Sequence, residues 1–252
     1  MTSGSPRDTS FNDEQYHLPY SPGTESHFWN FARSRIVARH LQKIQRSSSQ
    51  SGGVILDVGC GPGIVVGHLR ALNLACHGVE TGKPALRPGI EQFVTTGTDA
   101  SELPQSFRQS VSAILLLDVL EHIEDPANFL NILLKSFPSL KHFVVTVPAR
   151  AELWSNYDEY YGHFCRYDRD GFCKLFTDLN LKIVTCKYFF NSLYPAMAIA
   201  ARGVQKRSLE TKPPSGFGKW VHAAIGSAFQ LEERFPPMGK LPGTSLLGVF
   251  SV

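Results

Sequence analysis

Apolar residues in this chain fall into short runs, and most runs are followed by a stretch with apolar residues at helical spacing. Val54-Ile55-Leu56, Ile114-Leu115-Leu116-Leu117 and Phe143-Val144-Val145 are the plainest runs. They are too short for helices and lack the alternation of a half-buried strand, so they read as strands covered on both faces. The pattern predicts strands near 54–58, 75–79, 92–95, 112–117 and 142–147, with helices near 63–72, 83–89, 102–109 and 126–137 between them. Strands alternating with helices imply right-handed crossovers and a parallel sheet, hence an α/β fold. A helix near 27–45 precedes this core. A helix near 168–179, a strand near 181–189 and a last strand near 244–250 follow it. The segment 191–240 interrupts the alternation and predicts two helices, around 193–201 and 220–225. Residues 1–26 are polar and rich in Ser, Thr, Pro, Asp and Glu, and are expected to be disordered or loosely attached. Residues 27–252 read as one domain.

With 252 residues, 42% of them hydrophobic and 19% charged, the chain can bury one substantial core. A net charge of +3 is too small to point to nucleic acid, and no nucleic-acid partner is expected. The 5 cysteines are odd in number and form no C-x-x-C pair, so neither a disulfide framework nor a zinc site is indicated. Residues 1–26 contain no apolar core of a secretory signal, and no uninterrupted apolar run of roughly 18 residues exists. A soluble, cytoplasmic protein is the expectation.

Candidate chemistry concentrates where the first strand ends, at Asp57-Val58-Gly59-Cys60-Gly61-Pro62-Gly63. Glycines let the chain turn sharply and let a ligand reach the main chain. The helix that follows offers free N–H groups at its start. Glu80 ends the second strand, about 20 residues on, where an acid suits the two hydroxyls of a nucleoside ribose. The spacing is not the dinucleotide G-x-G-x-x-G: Ile64 and Val66 stand where a third glycine would fall. A nicotinamide-dependent oxidoreductase is therefore disfavoured.

The stretch Asp57-x-Gly59-x-Gly61-x-Gly63 resembles motif I of the class I S-adenosylmethionine-dependent methyltransferases. Asp118-Val119-Leu120-Glu121-His122 with Asp125-Pro126 resembles the D-x-L-E-H-x-x-D-P segment of small-molecule methyltransferases, the ubiquinone-type O-methyltransferases included. Three further stretches are similar to type 11 and type 23 methyltransferase domains. They are His27-Phe28-Trp29 with Arg33, Val147-Pro148-Ala149 with Leu153-Trp154, and Gly162-His163-Phe164-Cys165-Arg166-Tyr167. The resemblance covers 27–252. It implies a Rossmann-like, seven-stranded, mostly parallel sheet with helices on both faces, an antiparallel last strand and a helical insert before it.

The same resemblance implies S-adenosylmethionine as cofactor, leaving as S-adenosylhomocysteine. Asp57, Gly59, Cys60, Gly61 and Gly63 would hold its methionine part, Glu80 the ribose, and Asp99 with Ala100 the adenine. Leu117 and Asp118 would flank it, Trp29 would belong to a lid, and Arg33 would meet its carboxylate. The insert after the fifth strand would lie over the methyl group and offer Trp154, Tyr157, Arg166 and Tyr167 to the acceptor. His163 is the candidate general base and His122 a second catalytic candidate. Structural hydrogen bonding is the competing reading for His122, His163, Arg166 and Tyr167. Cys165 stands where basic residues are common in the group, which leaves the acceptor contacts open.

The activity these residues imply is metal-independent transfer of a methyl group to a small-molecule, glycan-linked or lipid-linked acceptor, with oxygen favoured. No metal-ligand set is legible. A non-catalytic S-adenosylmethionine-binding protein is the alternative. The segment 191–240 carries Arg202, Lys206, Arg207, Lys212, Lys219, Arg234 and Lys240 against Glu210, Glu232 and Glu233. With Tyr194 and Trp220 among them, this composition suits contact with an anionic bilayer surface. A substrate lid or dimer surface is the competing account.

Overall fold

The computed structural model describes residues 13–47, 53–202, 207–235 and 238–252. Expectations for residues 1–12 and for Lys206 lie outside the described residues. The helices are α1 (Asp13–Tyr20), α2 (Phe28–Ser47), α3 (Ile64–Ala71), α4 (Gln105–Ser110), α5 (Pro126–Ser136), α6 (Asn156–Tyr160), α7 (Arg169–Thr177), α8 (Tyr194–Ala201) and α9 (Phe217–Arg234). The strands are β1 (Val54–Val58), β2 (Cys76–Glu80), β3 (Val94–Thr96), β4 (Val111–Leu117), β5 (His142–Pro148), β6 (Lys182–Phe189) and β7 (Ser245–Ser251).

These strands form one seven-stranded sheet in the order β3-β2-β1-β4-β5-β7-β6. The first five are parallel, and β7 runs antiparallel to both β5 and β6. This is the expected sheet. Alternate strand residues feed two separate cores. Leu56, Ile114, Leu116, Phe143 and Val145 pack with Leu130, Leu133, Phe172 and Phe176 from α5 and α7. Ile55, Leu115, Leu117 and Val144 pack with Ile36, Leu41, Val65, Leu69 and Phe229 from α2, α3 and α9. The unbroken apolar runs are thereby explained: period-two side chains find an apolar layer on each side.

Three sequence expectations fail for identifiable reasons. No helix forms at 83–89, because Pro84 and Pro88 remove donors and fix φ within it. Helix α9 runs for 18 residues, well beyond the expected 220–225. Residues 13–26 are not loose: α1 folds against the cleft, with Tyr16 and Thr24 buried.

Helix α9 is held to α2 by its inner face. A Cβ at Gly226 would lie 2.6 Å from the Phe31 ring, so only glycine allows this approach. The Phe28 N–H donates to His222 Nδ1 at 3.1 Å. Glu233, buried, pairs with Arg39 and Lys187 and accepts from His40 Nε2 at 2.9 Å. Burial and the neighbouring cations push His40 down to about 3, so it serves as a neutral donor. One acid thus compensates charges from α2 and β6. Glu233→Ala is expected to lower the free energy of urea unfolding by about 3–5 kcal/mol, because two cations lose their partner. A change below about 1 kcal/mol would mean that solvent already screens them.

Candidate active site

Gly59, Gly61 and Gly63 all have positive φ, at 72°, 53° and 80°, which is why the turn after β1 needs glycine at alternate positions. At Gly63 an added Cβ would also fall 2.2 Å from Ile90 Cδ1. Glu80, at the end of β2, fastens this turn. Its Oε2 accepts from Gly61 N–H at 2.9 Å and its Oε1 from Gly82 N–H at 3.0 Å. The Tyr16 hydroxyl of α1 donates to Oε1 at 3.1 Å. The carboxylate is buried, yet it is aimed at the glycine turn.

Beside it opens a cleft lined by Tyr20, Arg33, Asp57, Cys60, Ile64 and Leu117, among others. Asp57 is buried at 2% exposure, and its Oδ1 has no hydrogen-bond partner. Burial pushes its carboxyl up to about 7, against the pull of Arg33. Arg33 is buried and pairs with Asp118. Asp118 leaves β4 in the left-handed region at φ 59°, fixed by its N–H to Thr146 O at 2.8 Å and by Thr146 Oγ1 donating at 2.9 Å. A non-glycine residue at such a φ is uncommon, although aspartate adopts it more readily than most, and such residues cluster at functional sites.

The insert between β5 and α7 is organised by Asp158. Ser155 caps α6, and its N–H donates to Asp158 Oδ2 at 2.9 Å. Arg166 forks onto both Asp158 oxygens at 2.7 and 3.0 Å, and His163 Nδ1 lies 2.8 Å from Oδ1. Burial alone would raise this carboxyl, but His163 and Arg166 hold it well below the usual carboxylate range. Arg166 also donates to Ala149 O, and the Tyr167 hydroxyl donates to Leu120 O at 3.1 Å. These two residues, expected at the acceptor, use their polar groups to tie the insert to the sheet.

His163 keeps its other ring nitrogen. Its ring meets that of His122 edge-on at 4.6 Å. One ligand atom each of Glu121, His122 and His163 lie within 4.8 Å of one another. Glu121 is buried with Oε2 unbonded, and its burial, together with Asp118, pushes its carboxyl up. Burial and the neighbouring His163 push His122 down to about 4, which leaves it neutral. The expectation that no metal-ligand set exists looked only along the chain. The fold assembles one carboxylate and two imidazoles, a donor set able to hold a divalent cation.

The other expected residues spread out. Trp29 stacks on Phe190 at 4.3 Å, packed against the core instead of lining the cleft. Asp99 caps a short 3-10 turn, its Oδ1 taken by the Ser101 N–H and hydroxyl, and Ala100 is buried. Trp154 is 37% exposed. The Tyr157 ring lies under the Arg207 guanidinium at 4.3 Å, beside Tyr161. Residue Thr211 donates to Leu18 O at 2.9 Å, so the segment after α8 closes over α1 and α6. Sequence reasoning missed Tyr16 and Tyr20. Their i, i+4 spacing within a polar stretch was the available signal.

A family profile described as "methyltransferase domain" matches residues 28–186, and the chain belongs to that family. With this sheet and the glycine turn, it is a class I S-adenosylmethionine-dependent methyltransferase domain. Ubiquinone biosynthesis O-methyltransferases are similar to it: that of Caulobacter vibrioides is 23% identical over 108 residues, 40% of this chain and 43% of its relative. That of Hahella chejuensis is 28% identical over 116 residues, 41% of this chain and 49% of its relative. The matched stretches span less than half the length of these curated relatives. Among solved structures, the plantazolicin methyltransferase BpumL, bound to a triazolic desmethyl analogue and S-adenosylhomocysteine, superposes with a TM-score of 0.56. It is 16% identical, with 94% of this chain and 88% of the other covered. A SAM-dependent methyltransferase from Archaeoglobus fulgidus gives 0.52 at 16% identity, with 89% and 98% covered.

The donor set fits the cofactor of this class. An orphaned buried carboxylate oxygen on Asp57 lies beside a turn that only glycines can make, and cationic ligands suit such an oxygen. Without ligand, the raised pKa of Asp57 has a testable cost. Its protonated form is favoured in the fold, so this stabilisation is present below its unfolded pKa near 4 and is lost as pH rises through about 7. The melting temperature of the ligand-free protein should fall between pH 5 and 8 by more than that of Asp57→Asn, the pH values being approximate brackets of that window. Parallel curves would place Asp57 in water.

Proposed function

We propose that this domain transfers a methyl group from S-adenosylmethionine to an oxygen of a small-molecule or lipid-linked acceptor. The observation that carries the reading is the buried Asp57 oxygen without a partner at the glycine turn, one strand from the Glu80 carboxylate. When bound, the cofactor supplies a methyl group activated on a sulfonium. Asp57 and the turn Gly59–Gly63 would hold its amino-acid part, with Arg33 between Asp57 and Asp118. Glu80 would accept from the ribose hydroxyls. Tyr20 and Tyr157, with Arg207 above, keep water from the cleft.

In this reading the acceptor hydroxyl approaches from the side of the insert. The residues of the insert would align its oxygen with the activated methyl group that the bound cofactor would supply. The acceptor proton passes to the free nitrogen of His163. Asp158 holds the opposite N–H and stabilises the imidazolium. Alignment of the two reactants can supply roughly 7–11 kcal/mol of the barrier reduction. Oxygen as the acceptor atom is supported by the names of the curated relatives and by the presence of an oriented base. The trio Glu121, His122 and His163 supports a second reading, in which these residues would hold a divalent cation that would make the acceptor hydroxyl more acidic.

Calorimetry with S-adenosylhomocysteine tests the cleft. Wild type should bind it and ignore NAD, and Glu80→Ala should weaken binding by about five- to 150-fold, the loss of one charged hydrogen-bond acceptor. Unchanged affinity would remove Glu80 from the site. His163→Ala should leave that affinity intact and lower turnover of a phenolic or polyprenol acceptor by about 10²–10⁴. Turnover abolished by chelation and restored by a divalent metal would favour the cation over the base.

A further inference from the structure

Helix α9 packs on the fold through a mixed face and leaves its apolar face outward. At about 100° per residue, positions 217, 220, 221, 224, 225, 228 and 231 fall within one sector of roughly 140°. Every one of them is apolar. Phe217 is 80% exposed, Trp220 76%, Leu231 54%, and Val221 and Ile225 40% each. Gly226, Phe229 and Glu233, on the opposite side, are the buried ones. Glu232, the acid in the outward sector, has its carboxylate taken by the Asn191 and Ser192 N–H groups and the Ser192 hydroxyl. Helix α8, which starts beside that contact, contains no buried residue and adds Ile199 at 71% exposure. A soluble surface rarely leaves an unbroken apolar stripe of this length uncovered.

Charge identifies the occupant. Among the described residues of 194–240, Arg202, Lys212, Lys219, Arg234 and Lys240 are exposed, while the exposed acid is Glu210. A second copy apposed through this face would bring two segments with the same basic excess together. An anionic lipid surface would complement that excess and bury the stripe. Phe217 and Trp220, in the first turn of α9, are residue types suited to the headgroup boundary. Among the described residues no helix is long and apolar enough to cross a membrane, so the contact is peripheral.

We infer that the outward face of α9, with α8 beside it, docks this domain on anionic phospholipid bilayers. The same polypeptide segment continues over the cleft, where Arg207 covers Tyr157 and bonds Asn156. Docking would therefore set the cleft's mouth near the bilayer. The inference does not rest on the proposed reaction, since the surface can bind lipid whether or not the cleft turns over.

The test is co-sedimentation of the whole chain with vesicles of phosphatidylcholine alone or mixed with phosphatidylglycerol. Binding is expected only to the mixed vesicles, and it should weaken with added salt. The double variant Phe217→Glu, Trp220→Glu should lose at least about tenfold in bound fraction while retaining wild-type affinity for S-adenosylhomocysteine, which certifies its fold. Lys212→Glu, Lys219→Glu should weaken binding through the segment's charge alone. Absence of salt-sensitive binding by wild type would overturn the inference. So would a dimer in light scattering that the Phe217/Trp220 variant converts to monomer.

Discussion

One carboxylate joins the parts of the cleft. Glu80 accepts from the main chain of two different turns, the glycine turn after β1 and the turn after β2, and from a hydroxyl on the N-terminal helix. The glycine turn has no side chains with which to fix itself, and its three left-handed residues gain no stability from packing. An anionic acceptor at the neighbouring strand end supplies what they lack, because N–H groups bonded to a charged oxygen are held more strongly than those bonded to a neutral one. The cleft is thus shaped before any ligand arrives.

A second carboxylate plays the matching part in the insert between β5 and α7. Asp158 is surrounded by Arg166, His163 and the Ser155 N–H, and a buried charge tolerates such a position only when fully compensated. The compensation is also what orients His163. Arg166 and Tyr167 then fix the insert to Ala149 and Leu120, so the imidazole is referenced to the sheet and not to a free loop. The structure separates two kinds of polar residue that a motif presents side by side: those that hold the frame and those left with an unused atom.

Much of the fold was legible because the sheet is buried on both faces. A strand covered twice must be apolar at every position, and such runs stand out in β1, β4 and β5. The glycine turn, Asp57 and Glu80 were legible because local backbone geometry dictates them. What was not legible has several causes. Helix α1 carries Pro19 and many polar residues, and its reason for folding is Tyr16 and Tyr20 meeting a cleft built by distant residues. The helical pattern at 83–89 gave way to two prolines. Helix α9 turns its apolar sector outward and packs on α2 through a face that holds Gly226, His222 and Glu233, so the usual inward-apolar reading of a surface helix does not apply to it. Glu121 and His163 lie far apart in the chain and meet only through Asp158 and the insert.

The Tyr16 hydroxyl rests on the same Oε1 that a nucleoside would address. It belongs to the same chain, so dilution cannot remove it, and it would act as a tethered competitor for an incoming sugar. If Glu80 holds the ribose as proposed, any affinity measured for an incoming sugar would be the residue of a contest, smaller than the carboxylate's own preference for that sugar.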